Sequence, residues 1–135
     1  MKIEVLLLAM GAALYIVLER DLPTGYAAMD GKALARHADR LAELAQQAGV
    51  PDLMTFCSFD ADDDLFEEFD IEPEPTVWHP ASAGLTTIRA LLTAIAAAGL
   101  EPEQAQWLQE DLQVAQTILE QAEQLGIQWY LAVDF

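Results

Sequence analysis

Residues 102–126, PEQAQWLQEDLQVAQTILEQAEQLG, and the following residues 127–133, IQWYLAV, place a helical pattern directly before a strand pattern. The helical pattern predicts one apolar face, because its apolar residues recur at alternating steps of three and four. A proline at the first turn and a glycine just past the end are typical boundaries of such a helix. The apolar positions are Ala105, Leu108, Leu112, Ala115, Leu119 and Ala122.

This apolar seam covers only about two and a half heptads, which is short for a coiled coil. No basic residue follows Arg89. A homodimer through this helix would therefore bring like charges together. We expect the seam to pack inside the monomer, and the sequence does not predict an oligomeric state.

The strand pattern at the end of the chain has a partner near its start. Ile127, Trp129, Leu131 and Val133 alternate along the chain, which predicts a strand with one buried and one less buried face. Residues 14–18, LYIVL, predict a second strand that ends near Glu19. Residues 3–8 fit either another strand or the first turn of a helix.

The middle of the chain predicts two further helices and one short strand. Residues 32–48 have helical periodicity and end at Gly49, and residues 83–98 end at Gly99 after a capping Ser82. Residues 53–59, LMTFCSF, are typical of a short buried strand. Together these elements predict an α+β fold, with three main helices packed on a small mixed or antiparallel sheet as a single pair of layers. We expect residues 1–135 to form one domain.

The net charge of −17 is distributed unevenly. Residues 1–40 carry five acidic and five basic residues, whereas residues 41–135 carry eighteen acidic residues and one base, Arg89. Nucleic-acid and anionic-lipid binding depend on cationic side chains, so this charge argues against both classes of partner. It serves either solubility or the recognition of a basic partner.

The apolar run at residues 3–18 resembles the hydrophobic part of a signal peptide. Glu4 interrupts it, and residues 19–21 supply no small-residue cleavage site. We therefore expect a buried strand and a cytoplasmic protein without membrane association. Cys57 is the single cysteine, which excludes an intramolecular disulfide. It lies in an apolar run beside acidic residues, which predicts a structural role rather than a nucleophilic one.

Residues 60–74, hereafter the acidic segment, contain nine carboxylates. An EF-hand frame that begins at Asp60 fails, because Leu65 occupies the position of the required glycine. Asp64 and Glu67 instead imitate a capping box at the start of a short helix with an aromatic underside. That underside would pack either into the core or against a partner. The residues predicted to contact a basic protein are Asp62, Asp63, Asp64, Phe66, Glu67, Glu68, Phe69 and Asp70.

His79 provides the alternative, enzymatic interpretation. With nearby carboxylates it could serve a metal-assisted hydrolase, although the spacing matches no metal-binding motif. His37, the other histidine, lies on the polar side of the first predicted helix. The chain contains no phosphate-binding glycine loop, dinucleotide fingerprint or nucleophile elbow, so the sequence predicts no catalytic residue, metal ligand or cofactor.

Four stretches resemble an uncharacterised family of small bacterial proteins. They are residues 30–36, DGKALAR; residues 78–80, WHP; residues 84–92, GLTTIRALL; and residues 126–134, GIQWYLAVD. The resemblance covers less than a third of the chain and implies no activity. Our preferred interpretation is an acidic, cytoplasmic binding module of inhibitor or immunity type, which acts on a basic protein such as a nuclease.

Overall fold

The computed structural model describes residues 12–23, 25, 29–58 and 76–134. Within these ranges the chain forms two strands, four helices and one 3₁₀ turn, which confirms the predicted α+β class. The strands are β1 (Ala13–Leu18) and β2 (Trp129–Asp134). The helices are α1 (Lys32–Arg36), α2 (Ala38–Ala48), α3 (Ala81–Ala97) and α4 (Pro102–Leu125), and the 3₁₀ turn is Leu53–Phe56.

The strands β1 and β2 pair antiparallel, so the first and last described elements meet in the sheet. Ile16 lies opposite Leu131, and Leu18 lies opposite Trp129. The predicted alternation along β2 is only half correct, because Tyr130 and Ala132 are buried as well as Trp129 and Leu131. Contact between the rings of Trp78 and Tyr130, whose centroids are 5.0 Å apart, covers part of the second face.

The single helix predicted for residues 32–48 is interrupted at His37. His37 has φ −107° and ψ 24°, outside helical geometry, and it separates α1 from α2. The break lets the two helices pack on different neighbours, α1 against β1 and α4 and α2 against α3. Periodicity alone did not reveal the break, because Leu34, Leu41 and Ala45 are buried on both sides of it.

The helices α3 and α4 form an antiparallel pair, and their contact is the most extensive in the fold. The predicted seam is confirmed: its five positions from Leu108 to Ala122 are buried, and Ala105 is partly buried. α4 has the predicted bounds and ends at Gly126 with φ 68°. α3 begins two residues earlier than predicted, with Pro80 rather than Ser82 at the N-cap position.

A close approach between α3 and β2 lies at the centre of this arrangement. Trp129 is fully buried, and its indole ring lies over Gly84. A Cβ atom at position 84 would lie 2.2 Å from Cζ2 of Trp129 and 2.9 Å from Cδ1 of Leu119. Only glycine therefore lets the helix approach the indole this closely.

The strand predicted for residues 53–59 is wrong over its first four positions, which form the 3₁₀ turn. The Asp52 side chain accepts a hydrogen bond from the Met54 amide, and the Asp52 carbonyl accepts one from Thr55. This local capping outweighs the apolar strand pattern. Among the described residues 53–58, only Cys57 makes a sheet-like pairing, with Leu131. The segment 3–8 and the predicted contact residues lie outside the described residues. None of the helices that the structure describes combines the length and apolar character needed to cross a bilayer.

Candidate functional site

All eight predicted contact residues belong to residues 59–75, outside the described part of the chain. The structure does describe where the acidic segment is attached. We call this attachment the base, formed by residues 56–58 and 77–80 together with the first half of β2. The geometry of the base determines where the chain leaves the described structure before the acidic segment and where it returns after it.

The two other segments of the base, residues 56–58 and 77–80, are both hydrogen-bonded to β2. The Ser58 amide donates to the Leu131 carbonyl over 3.0 Å. His79 exchanges two backbone hydrogen bonds with Trp129, of 2.8 and 3.0 Å. Because alternate residues of a strand bond in opposite directions, these bonds use the edge of β2 that faces away from β1.

The two ends of the base are also bonded to each other. The Val77 amide donates to the hydroxyl oxygen of Ser58 over 3.0 Å, although nineteen positions separate the two residues. Ser58 is buried, so this bond satisfies a hydroxyl group that would otherwise be costly to bury. The chain therefore leaves the base at Ser58 and returns to it at the neighbouring Val77.

Three aromatic rings pack together within the base. The ring of Phe56 stacks on Trp129 with centroids 5.1 Å apart and meets the edge of the His79 ring at the same distance. The indole Nε1 of Trp129 donates to the Pro80 carbonyl over 3.1 Å. Such packing holds the rings of the base in fixed positions.

His79 therefore contributes to the structure of the base through its backbone and its ring. Burial lowers the pKa of His79, which favours the neutral imidazole at pH 7. Among the described residues, no three His, Cys, Asp or Glu side chains are grouped so as to hold a metal ion. The carboxylates that the enzymatic interpretation would combine with His79 lie in the acidic segment.

Cys57 was predicted to be buried and structural. It is half-buried, packs against the core and pairs in parallel with Leu131. Its position in the base agrees with a packing role.

The exposed surface of the base contains two apolar residues that sequence reasoning did not single out as contacts. Val77 is 53% exposed and Trp78 is 37% exposed. One side of the Trp78 ring contacts Tyr130, which orients the indole. The two residues follow the acidic segment by three and four positions. In the sequence, the signal for this exposed apolar surface was a large aromatic residue, Trp78, shortly after the acidic segment.

Several cationic side chains are engaged elsewhere. Arg40 pairs with Glu43 over 2.9 Å on α2, and Arg89 pairs with Glu120 over 3.2 Å between α3 and α4. Arg20 donates to the Leu125 carbonyl at the C-terminal end of α4 over 2.6 Å. These three arginines thus have partners outside the acidic segment.

The described residues form a small α+β fold, and the chain leaves it before the acidic segment and returns after it at one edge of the sheet. Comparison with protein-family models finds no matching family, and comparisons with curated proteins and with solved structures find no match either. The resemblance to small bacterial proteins therefore stays a prediction. The function has to be argued from the residues themselves.

Proposed function

We propose that this protein is an acidic binding module, of inhibitor or immunity type, that recognises a basic protein in the cytoplasm. The contact residues are those predicted from the sequence, from Asp62 to Asp70. The observation that carries the proposal is the base. It joins the residues that precede and follow the nine carboxylates of the acidic segment. A rigid scaffold that holds both ends of a charged segment is a common way to present a binding surface.

Electrostatics supports a cationic partner. Residues 41–135 carry eighteen acidic residues and one base, and that base, Arg89, pairs with Glu120. Charge of one sign steers an oppositely charged partner and raises the association rate, most strongly at low salt. The same charge repels phosphate, so we propose no nucleic-acid or anionic-membrane partner.

Trp78 adds the apolar component that a specific interface needs. Interface hot spots are enriched in tryptophan, with charged residues at the rim. The Trp78 ring is oriented by Tyr130 and partly exposed, so it costs little conformational entropy to bind. The face of an indole ring also attracts arginine and lysine side chains. We therefore include Trp78 in the proposed surface, together with the acidic contact residues.

The test compares two variants with the same change in net charge. In the first, Asp62→Asn, Asp63→Asn, Glu67→Gln and Glu68→Gln neutralise four of the nine carboxylates of the acidic segment. In the second, Glu101, Glu103, Glu120 and Glu123, which are exposed at or along α4, are changed to Gln. Both variants and the wild type are immobilised and exposed to a lysate of the source organism at low salt. Retained proteins are identified by mass spectrometry, purified and measured by calorimetry.

We expect a basic protein that binds the wild type and the α4 variant alike and binds the segment variant about tenfold or more weakly. Trp78→Ala should weaken the same complex further, with circular dichroism as the control for folding. Equal affinity of the two charge variants would contradict the proposal. So would an affinity that does not change between low and high salt.

The alternative, a metal-assisted hydrolase using His79, gains no support from the described residues. The His79 ring packs on Phe56, and its backbone belongs to the sheet edge. Metal analysis of the purified protein tests this alternative directly, since a stoichiometric metal ion would favour the enzyme.

A further inference from the structure

A second feature of the molecule lies away from the base, where α1 meets the first half of α4. These two helices, together with Asp30 and His37, line a half-open pocket of about 210 Å³, hereafter the cavity. Ligand pockets for drug-sized molecules have volumes of roughly 300–1,000 Å³, so this cavity suits something smaller. Its lining is predominantly charged, with carboxylates, cations and one aromatic ring.

Asp111 is the most unusual residue of the lining. It is only 8% exposed, and its Oδ2 atom has no hydrogen-bond partner among the described residues. Burial raises the pKa of Asp111 and the Asp30 carboxylate raises it further, whereas the nearby backbone amides at the start of α1 act in the opposite direction. A buried carboxylate with incomplete hydrogen bonding is costly, at about 1–3 kcal/mol, and calls for an explanation.

Two cations line the same cavity without neutralising these carboxylates. Within the part of the chain that the structure describes, neither Lys32 nor Arg36 forms an ion pair. Burial and the charge of Arg36 lower the pKa of His37, so His37 does not add a third positive charge at pH 7. The cavity therefore presents carboxylates and cations that remain available to a ligand.

Trp107 supplies the apolar part of the lining. It is 44% exposed and lies four residues before Asp111, so both side chains are on the same face of α4. Glu110 also lines the cavity, and it accepts a hydrogen bond from Gln106 over 3.2 Å. An indole face next to a carboxylate is typical of sites for organic ammonium groups.

We propose that this cavity binds a small zwitterion of the size and type of a free amino acid. Its ammonium group would be held by Asp111 and Asp30, its carboxylate by Lys32 and Arg36, and its side chain by Trp107. The two opposite sets of charges explain why a ligand with both charges fits better than one with either alone. The inference is independent of the partner proposed above.

The experiment titrates each of the twenty free L-amino acids, up to about 10 mM, and follows thermal stability and calorimetric heat. The best binder is then compared with its methyl ester, which keeps only the positive charge, and its N-acetyl derivative, which keeps only the negative one. We expect each derivative to bind about tenfold or more weakly than the amino acid, because one set of charges is left unpaired. No binding by any amino acid, or an ester that binds equally well, would overturn the proposal.

Variants locate the site. Asp30→Asn and Lys32→Gln change exposed residues and leave the core intact, and each should weaken binding about tenfold. Glu123→Gln, on the exposed surface of α4, is the matched control and should bind as the wild type does. Retention of full affinity by both cavity variants would overturn the assignment. The variant neutralised in the acidic segment should keep amino-acid binding, which separates this inference from the partner proposal.

Discussion

The two halves of α4 differ in the side chains that they bury. Near its C-terminal end, Leu119 meets Trp129 above Gly84, and the contact is apolar and tight. In its first half, α4 buries Asp111 against the start of α1 and leaves a charged cavity. Both halves of the helix thus contribute to the core, and the first half also lines a candidate ligand site.

This difference shows that a regular apolar seam can contain a buried polar residue. The seam continues through both halves, with Leu108 and Leu112 buried on either side of Asp111. A polar residue inside a buried helical face is costly unless it is paired, so its presence indicates a role beyond packing. Three changes test the comparison, from the largest expected effect to the smallest.

The largest effect is expected from Gly84→Ala in the tight half. The new Cβ would overlap the indole ring of Trp129, and overpacking of this kind costs about 1–3 kcal/mol or more. Alanine also favours the helix by up to about 1 kcal/mol, so we expect a net loss of about 2 kcal/mol in the free energy of unfolding. Denaturation in urea measures the loss.

Thr86→Ala, at an exposed position of α3, is the matched control and should be neutral or slightly stabilising. Trp129→Phe is measured alone and in combination with Gly84→Ala, because the smaller ring makes room for the new Cβ atom. The double variant should be less destabilised than the sum of its parts by about 1 kcal/mol. Strict additivity would show that the close approach does not restrict position 84.

The intermediate effect concerns Asp111 and depends on pH. Because the folded pKa of Asp111 is raised above its ordinary value of 3.8, the folded state binds its proton more tightly than the unfolded state. Its charged form therefore costs stability, and this cost appears as pH rises from about 3.8 through the folded pKa. Asp111→Asn removes the cost. We expect the variant to gain stability relative to the wild type over this range, by about 1–3 kcal/mol at most.

Other titratable or charged groups surround Asp111, namely Asp30, Lys32, Arg36, His37 and Glu110. Asp30→Asn is thus measured alongside it, to separate the titration of the two carboxylates. Urea denaturation between pH 3 and 8 gives the comparison. A constant difference between Asp111→Asn and the wild type across this range would show that burial does not affect this carboxylate.

The smallest effect is expected from Arg89→Gln. Arg89 and Glu120 pair between α3 and α4, but both side chains are about half exposed, at 51% and 47%. Solvent screens such pairs, so the loss should be less than about 0.5 kcal/mol and should vanish at high salt. A loss as large as that of Gly84→Ala would mean that surface charge, rather than apolar packing, holds the two helices together.

Residues near one another in sequence determined much of the fold. The seam, Pro102 and Gly126 defined α4 within the bounds that the structure shows, and Gly49 marked the end of α2. Periodicity and capping act over a few residues, so a linear pattern carries them. The α+β class followed from the same local signals.

Only the tertiary structure decided the rest. The break at His37, the 3₁₀ turn after Asp52 and the burial of Asp111 depend on contacts with elements that are distant along the chain or on competing local hydrogen bonds. The pairing of Ser58 with Val77 likewise became visible only when both met at β2. A sequence records which side chains are available, whereas folding decides which of them meet, because that choice minimises the free energy of the whole chain rather than of any one segment.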